Sequence, residues 1–485
     1  MNHNPLRKIF IRIVSAAFCA GIASSSVAAE KPASEKPNIL YIMVDDLGKE
    51  WVSCYGGEGI KTPNIDALAA GGMKFNNAYS MPACSPSRTT LLTGKYPWRT
   101  GFVNHWDVPR WGVAYFDWKK KENTTFARLM KGLGYATAAA GKWQLNDFRI
   151  EPQAMKKHGF DDWAMWTGCE SSKDKKHEQK STRRYWDPYI HTQEGSKTYE
   201  GKFGPDIYTD HLIKFMQEHK HKPMCLYYPM VLPHTPVATT PDELKAKGVL
   251  GKHKAMVRYI DKMVGKLVKA LDDLEIRDRT IIIFTTDNGS APPPRGVIGN
   301  RNGRKVIGAK STETEAGVCA PFIANCPGLV PAGIETEALT DFTDMLPTFV
   351  ELGGGDIPED LITDGTSIAP LILGKEKDSE RKWIMALGHG GATLDEKGVR
   401  GVKDFATRVI RDKRYKVWVS DQREIIRLHD LIEDPWEENN LISSDRAEHK
   451  KAVGKFQKVV DSLPEKDARP LYEPRAANPW DRKLK

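Results

Sequence analysis

Asn38-Ile39-Leu40-Tyr41-Ile42-Met43-Val44-Asp45-Asp46 is an unbroken apolar run that ends on two carboxylates. A strand with one face in water would alternate; here every position from Ile39 to Val44 is apolar. The run therefore reads as a strand covered on both faces, the habit of parallel sheets wrapped by helices. Three further stretches share the pattern. Tyr135-Ala-Thr-Ala-Ala-Ala leads into Gly141-Lys142-Trp143, residues 224–232 lead into Pro233-His234-Thr235, and Thr280-Ile-Ile-Ile-Phe-Thr-Thr leads into Asp287-Asn288-Gly289. Each ends on a charged or metal-competent side chain.

Helical patterns alternate with these strands. Residues 254–276 place Met256, Ile260, Met263, Val264, Leu267, Leu271 and Leu274 on one face, which predicts an amphipathic helix. Thr62-Pro63 signals the start of another, with Ile65, Leu68 and Ala69 inward. The alternation predicts an α/β fold, a large mostly parallel sheet sandwiched by helices. In such sheets ligands bind beyond the carboxyl ends of the strands. The polar groups after the four strands are thus expected to converge on one crevice, although they lie up to roughly 240 positions apart. From about residue 382 the texture changes. Short stretches at 383–387, 405–410, 415–419 and 424–430 predict a small antiparallel sheet, and a charged helix is expected over 445–463. The expected division is an α/β catalytic domain over 30–380 and an α+β subdomain over 381–485. Residues 289–310 and 171–184 read as loops.

Residues 1–29 differ from the rest. Arg7, Lys8 and Arg12 flank an apolar, small-residue stretch that ends at Val27-Ala28-Ala29, the pattern of a signal peptide. The mature chain is expected to be exported, periplasmic or secreted, without a membrane span. The net charge is +9, and loss of those three cations leaves +6. A mild positive balance suits an anionic substrate, but no nucleic-acid module is present and nucleic acid is not an expected partner. Cys54, Cys84, Cys169, Cys225, Cys319 and Cys326 remain, with no zinc-like spacing. One or two disulfides are compatible with an oxidising compartment. Cys225 lies in an apolar run and reads as buried.

Asp45-Asp46 and Asp287-Asn288 supply three carboxylates and an amide oxygen, hard ligands suited to Ca²⁺ or Mg²⁺. The sharpest signal is Cys84-Ser85-Pro86-Ser87-Arg88, followed by Thr89-Thr90-Leu91-Leu92-Thr93-Gly94. Ser85 is a suitable N-cap and Pro86 a suitable first helical residue. That sets Cys84 just before a helix N-terminus, where free N–H groups favour anionic oxygens. Arg88 stands too close to the cysteine for a phosphatase-type loop.

The stretch resembles the formylglycine signature Cys-x-Pro-x-Arg of type I sulfatases, in the alkaline phosphatase superfamily. The resemblance extends over almost the whole mature chain, through 38–48, 62–75, 141–145, 233–236, 286–289, 310–321 and 428–440. It implies an alkaline phosphatase-like fold and a sulfuric ester hydrolase acting on a sulfated carbohydrate. It also implies a partner enzyme, formylglycine-generating or anaerobic sulfatase-maturing, that oxidises Cys84 to an aldehyde. Of the two hydroxyls of the hydrated aldehyde, one, held by calcium, attacks sulfur. The other then loses its proton and the adduct collapses, expelling sulfate, a release that an ordinary serine could not perform. By match to the family's motifs, Asp45, Asp46, Asp287, Asn288 and the modified Cys84 would hold one Ca²⁺. Arg88 would steady the diol, Lys142 and Lys310 would bind sulfate oxygens, and His234 would hydrogen-bond or protonate the leaving oxygen.

Two positions depart from the pattern. Gln144 stands where the family usually has a histidine; an amide can hydrogen-bond the diol but cannot take its proton. Cys319 replaces an arginine that reads as structural. Aromatic and basic residues in 105–111 and 295–304, His105 and Arg301 among them, are candidates for recognising sugar faces and further sulfates. Other readings are a phosphate or phosphonate monoester hydrolase of the same superfamily, and a dead, sulfated-glycan-binding protein.

Overall fold

The computed structural model describes residues 36–105, 116–117, 119–148, 151–166, 184–391, 393–395, 398–400 and 403–469. The expected signal segment, Cys169 and the stretches 106–111 and 171–183 lie outside them. In chain order the N-terminal part contains β1 (Asn38–Val44), α1 (Pro63–Ala70), β2 (Met73–Tyr79), α2 (Cys84–Thr93), β3 (Ala136–Lys142), β4 (Asp162–Trp166), β5 (Tyr189–Thr192) and β6 (Gly195–Thr198). It continues through α3 (Gly204–His219), β7 (Met224–Pro229), α4 (Gly248–Asp273), β8 (Thr280–Thr286), β9 (Cys319–Asn325), β10 (Ile334–Asp341) and α5 (Met345–Leu352).

Ten of these strands form one sheet in the order β10-β2-β9-β8-β1-β7-β3-β4-β5-β6. β1 lies between β8 and β7 and is parallel to both; β3 and β4 extend the parallel block. β9 runs antiparallel to its two neighbours, and β5 and β6 are antiparallel additions at the far edge. The continuous apolar run of β1 has the expected cause. Ile39, Tyr41 and Met43 point into a core shared with Leu91 and Leu92 of α2 and Phe349 of α5. Leu40, Ile42 and Val44 point to the other face, against Ile65 of α1, Leu212 of α3, and Met256 and Ile260 of α4. Burial of each of these six side chains is worth about 1.5–3 kcal/mol.

Three local expectations are corrected. α4 starts at Gly248, six residues earlier than the apolar stripe suggested, because an exposed glycine at 248 and a half-buried one at 251 are tolerated in its first turn. α2 starts at Cys84 itself: Ala83 is the extended cap and its carbonyl accepts the first helical bond, from Ser87 N. Pro86 falls inside the first turn, where its missing N–H costs nothing. The loop 289–310 contains a hairpin, Ile298–Arg301 paired with Arg304–Ile307, around a left-handed Asn302-Gly303 turn.

The C-terminal part holds an antiparallel sheet, β11 (Ile384–Leu387), β12 (Arg408–Arg411), β13 (Tyr415–Val419) and β14 (Ile425–Asp430), and helix α6 (Ala447–Ser462). Its core is shared with Tyr79, Trp98, Val318 and Leu339 of the N-terminal part. The five described cysteines, Cys54, Cys84, Cys225, Cys319 and Cys326, form no disulfide with one another. No helix among the described residues is long and apolar enough to cross a membrane.

Gly141 shows how tightly the strand ends are set. Its φ is +126°, and a Cβ there would lie 2.0 Å from the carbonyl oxygen of Pro229 on β7. Gly141→Ala is expected to cost about 3 kcal/mol through backbone strain and overpacking. A denaturant titration checks this.

Candidate functional site

The register of the central strands decides what meets at their ends. Val44 pairs with Thr286, so Asp45-Asp46 and Asp287-Asn288 leave the sheet side by side. Asp46 N donates to Asp287 Oδ1 over 3.1 Å, and Asn288 Nδ2 donates to Asp46 Oδ1 over 2.7 Å. Lys142, the last residue of β3, is fully buried and places Nζ 2.9 Å from both carboxylate oxygens of Asp45. Lys310 arrives from the loop after the hairpin, with Nζ 2.6 Å from Asp46 Oδ1.

Cys84 occupies the first turn of α2, buried to 1% exposure. Its Sγ donates to Gln144 Oε1 over 3.2 Å. One turn along α2, Arg88 spans the floor: one guanidinium nitrogen donates to Asp287 Oδ2 over 2.7 Å and the other to the carbonyl of Lys142 over 2.9 Å. Ser87 Oγ donates to the carbonyl of Asp287. Helix, lysine strand and acidic strand are thus tied together by side chains from one turn. Asp46 and Gln144 both have left-handed backbones, φ +68° and +58°, a costly conformation for such residues that is found where geometry matters more than strain.

Three carboxylates, Asp45, Asp46 and Asp287, face three cations, Arg88, Lys142 and Lys310. Burial raises Asp46 and Asp287, and repulsion from Asp45 adds to the rise. Burial would also raise Asp45, but Lys142, His234, Arg88 and Lys310 outweigh it and hold this carboxyl well below its ordinary range. Arg88, though buried, is kept charged by Asp287 and Asp45. Two oxygens in the cluster, Asp46 Oδ2 and Asn288 Oδ1, are buried without a hydrogen-bond partner. Orphaned oxygens beside mutually repelling carboxyls fit a hard divalent cation. Ligand atoms of Asp45, Asp46 and His234 also lie within 4.8 Å of one another.

A sequence profile described as Sulfatase matches residues 37–355, and one described as N-sulphoglucosamine sulphohydrolase, C-terminal, matches residues 310–466. The chain is 34% identical over 356 residues to the N-acetylgalactosamine-6-sulfatase of Sus scrofa, covering 70% of this chain and 67% of that one. The chain belongs to the sulfatase family. It is an enzyme of the sulfuric ester hydrolase class. The steryl-sulfatase of Homo sapiens is 28% identical over 432 residues, 73% of each chain. Among solved structures, Ps i-CgsB in complex with k-i-k-neocarrahexaose superposes with a TM-score of 0.72 at 26% identity, covering 89% of this chain and 94% of that one. The large helix-flanked sheet with a small antiparallel sheet is the alkaline phosphatase-like fold.

In this sulfatase a cavity of about 510 Å³ opens over Cys84, with Asp46, His234 and Lys310 in its walls. Of the residues the sequence singled out, Asp45, Asp46, Cys84, Arg88, Lys142, Gln144, His234, Asp287, Asn288 and Lys310 are brought together. Arg301 is not. It sits on the hairpin, donates to the carbonyl of Tyr55 over 2.9 Å, and lines a separate cavity beside Lys49 and Cys319. His105 lies in a short strand paired with His389–Gly391.

Sequence reasoning missed Arg184. Its buried guanidinium lies over the Trp166 ring, 4.6 Å from the centroid, and donates to His234 Nδ1 over 2.9 Å and to the carbonyl of Thr235 over 2.6 Å. Nδ1 also lies 2.5 Å from that carbonyl oxygen, so two assignments of the ring compete. Arginine has no acceptor, so a bond from Arg184 needs the lone pair on Nδ1 and selects the tautomer protonated at Nε2, whereas a bond to the carbonyl of Thr235 needs the proton on Nδ1. Burial first, then Lys310, lowers the pKa of the ring well below its ordinary value. Its Nε2 lies 3.7 Å from Asp46 Oδ2, at the edge of the carboxylate cluster. Arg184→Met is expected to lower kcat about tenfold with little change in fold, because the ring loses the bond that selects this tautomer. Steady-state kinetics beside circular dichroism check this. No motif marks Arg184; it stands at the end of the basic stretch 173–184 and acquires its role only through tertiary contact.

Proposed function

We propose that this sulfatase removes sulfate from a sulfated carbohydrate through Cys84 converted to formylglycine, with one calcium ion held by Asp45, Asp46, Asp287, Asn288 and the modified residue. The observation that carries the reading is the meeting of Cys84, at the start of α2, with Arg88, Lys142, Lys310 and the carboxylate cluster. The Cys84 thiol donates to the amide oxygen of Gln144. The hydrated aldehyde offers one hydroxyl to attack sulfur and a second to expel sulfate. A bound divalent cation would polarise the sulfate oxygens and favour the ionised nucleophile.

The chain's own groups do the rest. Lys142 and Lys310 bind the equatorial oxygens and offset the charge that develops in the transition state. Arg88 orients the diol from below. His234 donates from Nε2 to the leaving oxygen. Gln144 hydrogen-bonds the second hydroxyl. It cannot take that proton, so release needs another acceptor, and the sulfated enzyme is expected to accumulate. A relative named for N-acetylgalactosamine 6-sulfate and a solved neighbour holding a neocarrahexaose support a carbohydrate substrate. Residues 1–29 direct export to the periplasm or outside the cell, and a maturing enzyme is the required partner. We place the domain division at 30–380 and 381–485.

Mass spectrometry of the Cys84 peptide, beside sulfate release from a panel of sulfated sugars, tests the reading. Aldehyde at Cys84 with sulfate released supports it. An unmodified thiol in a host with the maturing enzyme, together with full turnover, sinks the nucleophile. Turnover of phosphate esters in preference to sulfates sinks the substrate class.

A further inference from the structure

The catalytic cavity has a neighbour among the described residues. A second cavity of about 610 Å³ adjoins it, and the two share His234, Thr235, Pro294 and Arg295 in their walls. They form one trough, each half within the size range that holds a drug-sized ligand. The second half is lined by Pro236, Val237 and Val249 and by two cations, Arg295 and Lys252, with no carboxylate among the described residues of its wall. Arg295 is exposed and Lys252 half-buried. Neither forms an ion pair among the described residues, although nearby Arg258 and Lys262 are neutralised by Glu243 and Asp242. Lys245 and Lys247, just before α4, are likewise exposed and outside any described ion pair.

From this trough we infer that Arg295 and Lys252 form a second anion subsite, so that the preferred substrate is a polyanionic oligosaccharide and not an isolated sulfate ester. The inference rests on the reading of the catalytic half as a sulfatase site. One sulfate sits over Cys84; the next anionic group along the chain, a sulfate or a carboxylate, lies between Arg295 and Lys252. The apolar Pro236, Val237 and Val249 cover the carbon face of the intervening sugar. Unpaired cations in a cleft raise both the encounter rate and the preference for a polyanion, and both effects weaken with salt. An apolar alcohol of steroid size would fill the same volume but leave both cations without a counter-charge.

The test separates binding from turnover. In the Cys84→Ala chain, calorimetry compares a chondroitin 6-sulfate tetrasaccharide and a carrageenan tetrasaccharide with N-acetylgalactosamine 6-sulfate and a steryl sulfate. The expected result is that one tetrasaccharide binds at least about tenfold tighter than either small ester. Lys252→Ala with Arg295→Ala should erase that margin and flatten its salt dependence. Equal affinity for all ligands, a preference for the steryl sulfate, or a margin unchanged in the double variant would each overturn the subsite. The catalytic reading is judged separately: a margin that behaves as expected in a chain whose Cys84 parent releases no sulfate would leave the subsite standing and sink the sulfatase mechanism.

Discussion

Cys84→Ser is expected to lose about 10⁴-fold or more of the steady-state kcat for a sulfate ester, while its melting temperature stays within a few degrees of the parent. Serine fits the site, since Cys84 is a small buried residue whose contacts are a helix start and the Gln144 amide. What changes is the second half of the cycle. A serine hydroxyl can displace the alcohol and become a sulfate ester, with Lys142, Lys310 and Arg88 still in place. It has no second hydroxyl with which to expel the sulfate. The variant should therefore release about one equivalent of alcohol per enzyme and then stop. Quenched-flow measurement of alcohol, beside the intact mass, reads both. Sustained turnover by the serine protein would remove Cys84 from the role of nucleophile.

Stripping divalent cations with a chelator, or replacing Asp46 by Asn, is expected to lower kcat about 10³-fold, with recovery on adding Ca²⁺ only in the parent. The size follows from the charge balance. Three carboxylates against three cations balance in formal charge, so a bound divalent ion would supply the positive field that an anionic ester needs in a dry site. The same balance means that the fold does not depend on the ion: every carboxylate already has a cationic or amide partner. Chelation should thus cost activity and only a few degrees of stability. Calorimetry of Ca²⁺ binding to the Cys84→Ala chain gives a readout independent of turnover, and absence of binding there would refute the metal assignment.

Much of this was legible in the sequence because strand ends are informative. A run such as Ile39–Val44 can only be a strand buried on both faces, and whatever follows it must lie at the sheet's carboxyl edge. Asp45, Lys142, His234 and Asp287 could be assigned to one crevice on that ground alone. The hairpin at 298–307 was not legible, because Arg301, Arg304 and Lys305 break the alternation that marks a half-buried strand. Arg301 was consequently read as a loop residue free to meet substrate, whereas the hairpin carries it to another cavity. Arg184 could not be found either: a loop arginine declares nothing until Trp166 and His234 close around it.

The register of β1 has a consequence for timing. Asn38 pairs with Thr280, so the middle of the sheet cannot assemble until the ribosome has made nearly 200 residues beyond Cys84. At the usual pace of synthesis that interval is roughly 10–40 s. Afterwards the cysteine is 1% exposed, beyond reach of any enzyme that must grasp a stretch of chain. On the proposed reading, covalent maturation of Cys84 is therefore a race against folding, and the long sequence separation between β1 and β8 keeps that race open. Shortening the separation by circular permutation would yield a faster-folding protein with a smaller fraction of converted enzyme.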